Sequence, residues 1–215
     1  LGTLTLAQIL RASTSWSHVL LGSVAVGVVF ALVLGHTSSE LIGALATEVT
    51  KVLTQLRGES QLSGEELDKL QVALVPTLTG VMASSLQVTC LLCLMLARYW
   101  QASLYNPGGF GREFRSLRLA PAVAVILLLG AVVVPALEVQ AAVLGPLCSV
   151  PLIIAGVALG HGLIALKRLA GGWLVGLYLA VLLLGNLICL LAVVDSLFDF
   201  RGRLARRQGS TNGEG

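Results

Sequence analysis

The chain has 215 residues, of which 56% are hydrophobic and 12% are charged, with 14 Lys and Arg against 11 Asp and Glu. Soluble domains carry about 25% charged residues, so this composition and a mean hydropathy of +0.90 exclude an ordinary soluble protein and predict an integral membrane protein. The apolar runs are long rather than alternating, which excludes a β-barrel and predicts an all-α, polytopic bundle of transmembrane helices.

The first apolar run, residues 1–10, has half the roughly 20 residues that a helix needs to cross a bilayer. It contains no initiator Met, no basic n-region and no small-residue cleavage site, which argues against a signal peptide. We therefore interpret it as the remnant of a spanning helix. Within one domain, residues 1–200, five complete runs of spanning length follow, at residues 18–35, 77–97, 119–137, 143–166 and 173–194.

A polar segment, residues 39–75, separates the first two complete runs. Apolar residues recur in it at helical spacing and charged residues occupy the rest of the helical wheel, which predicts amphipathic helices outside the membrane core. The apolar positions are Leu41, Leu45, Val49, Val52 and Leu56. Ser63 and Glu66 predict a capping box for a second helix, which continues through Pro76 into the next run with an expected kink.

Lys and Arg concentrate in three predicted loops, residues 11–17, 98–118 and 167–172. These loops contain a single acid, Glu113, whereas residues 36–75 are rich in Asp and Glu. By the positive-inside rule, the basic loops are cytoplasmic and residues 36–75 are periplasmic in a bacterial inner membrane. The basic residues of the three loops are Arg11, Arg98, Arg112, Arg115, Arg118, Lys167 and Arg168.

The C-terminal tail, residues 201–215, is polar and is predicted to be disordered. Its four Arg favour a cytoplasmic location, yet strict alternation of the spans would place it in the periplasm. A helix break at Gly185 and Asn186, near the middle of the last apolar run, would resolve this conflict. Two half-length helices would then enter the membrane and return to the same side; the alternative is a single crossing.

A stripe of small and polar residues follows one face of the second complete run. Thr77, Gly80, Ser84 and Gln87 recur at spacings of three, four and three, and polar side chains within a bilayer turn toward the bundle interior. Asn186 is a further amide in the middle of the last run. Helix packing explains these residues, and so does a small-molecule site, for which the candidate ligand-facing residues are Thr77, Ser84, Gln87 and Asn186.

The segment LYNPGGFGREFRSLRL, residues 104–119, interrupts the apolar sequence. Its Asn106, Pro107, Gly108 and Gly109 predict a tight turn, because Pro restricts one φ angle and Gly permits positive φ. No Lys-Ser or Lys-Thr pair follows, which excludes a phosphate loop of the Walker type. A short interfacial helix after the turn would have an apolar face and Arg directed toward lipid headgroups. The candidate lipid or partner contacts are Phe110, Phe114, Arg112, Arg115 and Arg118.

Residues suited to chemistry are sparse in this sequence. It contains no nucleophile motif, no His and carboxylate metal cluster and no paired catalytic carboxylates, so we expect no catalytic residues, metal, cofactor or nucleic-acid partner. The four Cys lie in apolar runs, which predicts packing rather than disulfides. His161 is interpreted as a packed or interfacial side chain, with titration near neutral pH as the alternative.

Two segments, RYWQASLYNPGGFGREFRSLRL and VDSLFDFRGRL, carry a family resemblance that covers essentially the whole chain. They resemble the YybS-like family of bacterial integral membrane proteins, in its proteobacterial form, whose domain has no known function. The resemblance implies further spans before residue 1 and supplies no catalytic residues. In fold, such proteins look somewhat like the membrane-embedded substrate-binding subunits of energy-coupling-factor vitamin transporters, and fold alone does not determine function.

Two functional hypotheses follow from these features. The first is small-molecule binding or transport, in a cavity lined by the polar stripe and Asn186. The second is a membrane scaffold or assembly protein whose basic face holds a cytoplasmic partner or anionic lipid. A cavity lined by Gln87 and Asn186 would favour the first hypothesis, and a filled, dry bundle would count against it.

Overall fold

The computed structural model describes residues 1–57 and 64–211, and the regular structure in these ranges is entirely helical. Three helices are long and apolar enough to cross a membrane, or up to five if each of two bent helix pairs is one span. The predicted all-α membrane architecture is therefore confirmed for the described residues. The helices are α1 Gly2–Ser13, α2 Trp16–Thr37, α3 Ser39–Arg57, α4 Gly64–Tyr105, α5 Gly109–Ser116, α6 Pro121–Leu128, α7 Val134–Leu137, α8 Leu144–Leu166, α9 Gly172–Leu183, α10 Gly185–Phe198 and α11 Phe200–Thr211.

The centre of the bundle consists of α2, α4 and α8, which pack directly on one another. Gly27 of α2 allows these helices to approach closely, because an added Cβ would lie 2.7 Å from Leu147 Cδ2 and 2.9 Å from Gln87 Oε1. Lipid provides little hydrophobic drive for helices to associate, so close packing at small residues is what holds such a bundle together. The largest buried apolar side chains around this centre include Leu6, Leu20, Leu91, Leu127 and Leu152.

The amphipathic segment is a helix, α3, that lies on α4. Ile42 and Ala46 are the buried apolar residues of α3, whereas Leu41 and Leu56 of the predicted apolar stripe are exposed. The stripe is thus turned away from the bundle, as expected for a helix that lies on a membrane surface. The predicted cap at Ser63 lies outside the described residues. From Gly64 onward α4 is continuous and contains Pro76 in its interior.

The predicted span at residues 119–137 is irregular. It begins as α6, passes through a π-helical turn at Leu129–Val133 and ends as α7. A 3₁₀ turn, Val139–Val143, then leads the chain into α8. Gly80 of α4 packs against this turn, since an added Cβ would lie 2.6 Å from the carbonyl oxygen of Val143.

The last apolar run is broken into two helices. α9 ends at Leu183 and α10 begins at Gly185, and their axes are bent by 108°, so residues 173–194 do not form one straight span. Gly156, near the middle of α8, packs against Ile188 of α10. The break therefore lies at about mid-height of the bundle, near Gly185 and Asn186, where the sequence predicted it.

The N terminus of α9 and the C terminus of α10 lie at the same end of the bundle. α9 starts a few residues after the C terminus of α8, and Ser196 near the end of α10 donates its hydroxyl to the Leu119 carbonyl at 2.6 Å. Gly162 in the last turns of α8 lies against the Arg115 carbonyl. We call this the basic end, the end of the bundle that contains Arg98, Glu113, Arg118, Lys167 and Arg201.

The described part of the C-terminal tail is helical, which corrects the prediction of a disordered tail for residues 201–211. Asp199, with φ of 51°, separates α10 from α11. Its Oδ1 accepts the backbone N–H of Gly202 at 3.2 Å and so satisfies one of the free donors at the start of α11. The polar composition indicated disorder, whereas this local capping contact favours a helix that starts at the basic end.

Candidate functional site

Gln87 is fully buried at the centre of the bundle. Its Nε2 donates to Ser23 Oγ of α2 at 2.9 Å and to the Leu147 carbonyl of α8 at 3.2 Å. Its Oε1 has no hydrogen-bond partner in the described structure and faces the space left by Gly27. The amide therefore joins three helices: α2, α4 and α8.

The four residues predicted to face a ligand are not brought together. Thr77 Oγ1 donates to the Ala73 carbonyl and Ser84 Oγ to the Val81 carbonyl, both at 2.8 Å and both within α4. Asn186 is exposed beside the break between α9 and α10. The two hydroxyls bond within their own helix and Asn186 is exposed, so the structure does not gather these residues around Gln87.

Glu113 organises the part of the basic end next to α1 and α4. Its Oε1 accepts the indole N–H of Trp16 at 2.6 Å, and its Oε2 accepts Nη2 of Arg98 at 2.8 Å. Arg98 also donates to Gln101 Oε1 at 2.6 Å. Glu113, the single acid among the seven bases of the predicted loops, therefore connects α5 to α2 and α4.

Arg118 was predicted to contact lipid or a partner, and the structure uses it internally instead. Its Nη1 pairs with Asp199 Oδ1 at 2.7 Å, and its Nη2 donates to the Ser196 carbonyl at 3.0 Å. A cation near the C terminus of α10 is favourable, because the last carbonyls of a helix lack intrahelical partners. Arg118 therefore holds the C-terminal end of α10.

Arg201 of α11 is held in the same way. It pairs with Asp195 and also donates to the backbone carbonyls of Arg115 and Leu117.

Every described carboxylate of the basic end has an arginine partner within the chain: Glu113, Asp195 and Asp199. No described carboxylate pairs with five other cations of this end: Arg11, Arg112, Arg115, Lys167 and Arg168.

The turn before α5 sets the direction of that helix. Gly109 N–H donates to the Asn106 carbonyl at 2.8 Å, and Gly108 has φ of 77°. Only Gly adopts this left-handed conformation without steric cost. An added Cβ at Gly109 would lie 2.6 Å from Asn106 Nδ2, so a side chain at this position would force Asn106 to move.

A groove of about 670 Å³ lies between α4, α5, α8 and α9, and its lining is mostly aromatic and aliphatic. We call it the aromatic groove. Leu92, Tyr99 and Tyr178 on its border are each more than half exposed, so it opens on the lateral surface of the bundle. Its lining residues are Leu92, Met95, Tyr99, Gly108, Phe110, Gly111, Phe114, Arg115, Ile154, Val157, His161 and Tyr178.

The rings of the groove form a continuous chain of contacts from α4 to α9. The ring centroids of Tyr99 and Phe110 are 6.3 Å apart, and those of Phe110 and Phe114 are 6.1 Å apart. His161 lies 5.5 Å from Phe114 and 5.8 Å from Tyr178. Such edge and stacked contacts stabilise each ring pair by about 0.5–1.5 kcal/mol beyond burial, so the lining is largely preformed.

A second pocket, of about 410 Å³, adjoins the aromatic groove and shares Arg115 with it. We call it the arginine pocket. Its lining residues are Arg112, Arg115, Ser116, Gly162, Ala165, Leu166 and Arg201. Arg112 donates only to Asn106 Oδ1, at 3.3 Å, and no side-chain hydrogen bond of Arg115 occurs in the described structure.

No family model, no curated protein and no solved structure matches this chain. The resemblance to the YybS-like family therefore stays a prediction. The candidate site rests on geometry alone, and four of the predicted contact residues lie in it: Phe110, Phe114, Arg112 and Arg115.

Sequence reasoning missed the part of the site that α8 and α9 supply. His161 Nε2 lies 3.4 Å from the Tyr178 hydroxyl, and His161 Nδ1 lies 3.0 Å from the Val157 carbonyl. Gly156 and Gly160 are four residues apart, a spacing typical of closely packed membrane helices, and Gly160 packs against Leu177 of α9. That spacing did not identify the partner helix, so the ring of Tyr178 could not be placed beside His161.

Proposed function

We propose that this chain is a bacterial inner-membrane protein that binds a small molecule taken from the bilayer, and that the aromatic groove is its binding site. The observation that carries the proposal is the groove itself: about 670 Å³, lined by five rings and open on the lateral surface. Ligand sites in proteins are typically concave, mostly apolar and about 300–1,000 Å³ in volume, with few polar groups. The aromatic groove has each of these properties.

The proposed role is binding rather than catalysis, because the sequence contains no catalytic motif. Kinship with the YybS-like family is part of the proposal. That family looks somewhat like the membrane-embedded substrate-binding subunits of vitamin transporters. We therefore extend the proposed function to transport, in which the groove provides the binding step.

The proposed topology places the basic end in the cytoplasm. The uncompensated cations, Arg11, Arg112, Arg115, Lys167 and Arg168, support this by the positive-inside rule. In this arrangement α2, α4, α6 with α7, and α8 each cross the membrane. The pair α9 and α10 enters and returns, which leaves the tail in the cytoplasm and α3 in the periplasm.

Native mass spectrometry of the full-length protein, extracted in mild detergent, tests the groove. We expect a retained small-molecule adduct in the wild type and its loss in Gly111→Leu, because Gly111 lines the groove and an added Cβ there would contact only Arg115 Nη2, at 3.8 Å. Gly43→Leu on α3 is the control, since an added Cβ at Gly43 has no atom of another residue within 4 Å. A wild type without any adduct, or an adduct that survives Gly111→Leu, would overturn the proposal.

The surplus of cations at the basic end favours one second candidate function, a scaffold that holds an acidic cytoplasmic protein. Affinity capture of the wild type should then yield one stoichiometric partner that is lost when Arg112, Arg115, Lys167 and Arg168 are all changed to Gln. Changing Arg203 of α11 to Gln is the control, because that residue is exposed and pairs with no described carboxylate. Capture of no partner, or of the same partner by the variant, argues against a scaffold.

A further inference from the structure

We propose that the ligand of the aromatic groove is an anionic phospholipid of the surrounding bilayer, with an acyl chain in the groove and the phosphate beside Arg115 and Arg112. This inference rests on the proposed function and names the chemical class of its ligand.

The apolar part of the ligand follows from the lining of the groove. Phe110 and Phe114 form its floor on α5, and Ile154 and Val157 line it from α8. The polar tips of His161 and Tyr178 contact each other, which leaves Arg115 as the charged residue of the lining. A surface of this kind fits a hydrocarbon chain, which gains from burial and requires no hydrogen bonds.

The sign of the headgroup charge follows from the two pockets together. Neither lining contains an Asp or a Glu among the residues that the structure describes. Arg115 borders both pockets and forms no ion pair there, and Arg112 donates only to the neutral Asn106. A cationic headgroup would meet uncompensated repulsion at this place, whereas a phosphate would receive charge-assisted hydrogen bonds from both guanidinium groups.

Arg201 supports the site without binding the ligand. Its Nε and Nη2 face Asp195, and its Nη1 and Nη2 also donate to the carbonyls of Arg115 and Leu117. The Asp195 and Arg201 pair is neutral as a whole, so the net positive charge of the arginine pocket comes from Arg112 and Arg115. The bond from Arg201 to the Arg115 carbonyl fixes the backbone that presents the Arg115 side chain.

The site has its apolar and charged parts where a phospholipid has its acyl chain and its phosphate. The groove is lateral, and its charged residue lies at the basic end, next to the cluster of rings that begins at Tyr99. Tyr and Trp side chains concentrate where the hydrocarbon core meets the headgroups, and Arg beside them contacts phosphate. A lipid of the adjacent leaflet can thus enter from the side with its chain parallel to α4 and α8.

The test uses full-length protein in detergent, freed of lipid and titrated in native mass spectrometry with phosphatidylglycerol and phosphatidylcholine of identical chains. We expect phosphatidylglycerol to bind more tightly than phosphatidylcholine. Arg112→Gln with Arg115→Gln should weaken the binding of phosphatidylglycerol by about twenty-fivefold, at roughly fivefold for each arginine near a lipid headgroup. Arg115→Lys should retain much of the preference, because it keeps the charge.

The matched control removes the same charge elsewhere, with Arg11→Gln and Arg203→Gln, and should leave both affinities unchanged. Equal affinity of the wild type for the two lipids, or no effect of the double arginine variant, overturns the anionic class. Gly111→Leu tests the groove as the binding site independently of the headgroup charge. Loss of all lipid binding in that variant supports the proposed function even when the wild type shows no preference for the anionic lipid. Binding of inorganic phosphate as tightly as phosphatidylglycerol would also overturn the inference, since the acyl chain would then contribute nothing.

Discussion

Asp195 and Arg201 form an ion pair of 2.8 Å whose side chains are only 3% and 13% exposed. The pair connects the end of α10 to the start of α11, and Arg201 extends it to the carbonyls of Arg115 at 2.7 Å and Leu117 at 2.8 Å. Asp195 Oδ1 has no further partner in the described structure, so the carboxylate depends on this one arginine.

Arg201→Ala is expected to destabilise the protein by about 3–5 kcal/mol, because it leaves a buried carboxylate without a counter-charge. For a chain of this length, that corresponds to a decrease in Tm of about 6 °C or more, which thermal unfolding in detergent would measure. Adding Asp195→Ala should recover part of the loss, since the unpaired charge is then removed. Arg203→Ala, two residues further along the same helix, is the control and should melt as the wild type does. An unchanged Tm in Arg201→Ala would contradict the structural role of the pair.

Gln87→Leu is expected to change stability by less than about 1 kcal/mol. Interhelical hydrogen bonds in membranes contribute about 0.6 kcal/mol each on average, and the substitution also removes the unsatisfied Oε1. Gln87→Ala should instead cost about 2 kcal/mol or more, because it opens a cavity between three packed helices. Both are measured by thermal unfolding, with Ser85→Ala, at an exposed position of α4, as a neutral control.

The ligand measurement separates packing from binding at this position. Gln87→Leu should retain the adduct found by native mass spectrometry, because Gln87 lies outside the aromatic groove. A folded Gln87→Leu variant that has lost its ligand would show that the site is the bundle centre instead.

Gly108→Ala is expected to destabilise the turn before α5 by about 1–2 kcal/mol, the cost of a left-handed conformation for a residue with a Cβ. Gly108→Asn should be milder, since Asn tolerates this region better than other residues. Gly171→Ala is the matched control, because its φ is negative and an added Cβ has open space. Equal Tm values for the Gly108→Ala variant and this control would show that the turn has no strict requirement for glycine.

A fusion at the C terminus tests the proposed re-entrant pair. Because α9 and α10 both have their outer ends at the basic end, a fluorescent-protein fusion after Thr211 should be bright and an alkaline phosphatase fusion there should be inactive. A phosphatase fusion within α3, after residue 56, is the control and should be active. Phosphatase activity at the C terminus would mean that the last run crosses the membrane once.

The helical secondary structure and the concentration of Lys and Arg at one end of the bundle could largely be predicted, because both follow from local composition. Runs of about 20 apolar residues predict helices wherever they occur, and the charge of each loop can be read without knowing its neighbours. The candidate ligand residues could not be predicted in this way. Thr77, Ser84 and Gln87 share a periodicity, yet the periodicity does not specify which hydroxyl bonds its own helix and which amide reaches another.

The sequence by itself determined that this is an all-α membrane protein with its Lys and Arg concentrated at one end. Only the tertiary structure decided which of those cations bond to other helices of the chain and which line a pocket. Arg118 donates to the Ser196 carbonyl of α10, 78 residues away, and Arg201 pairs with Asp195 of α10, 6 residues away. Arg112 and Arg115 line the arginine pocket instead. The physical reason is that charge and hydropathy are sums over neighbouring residues, whereas the partner of a side chain depends on how distant helices pack.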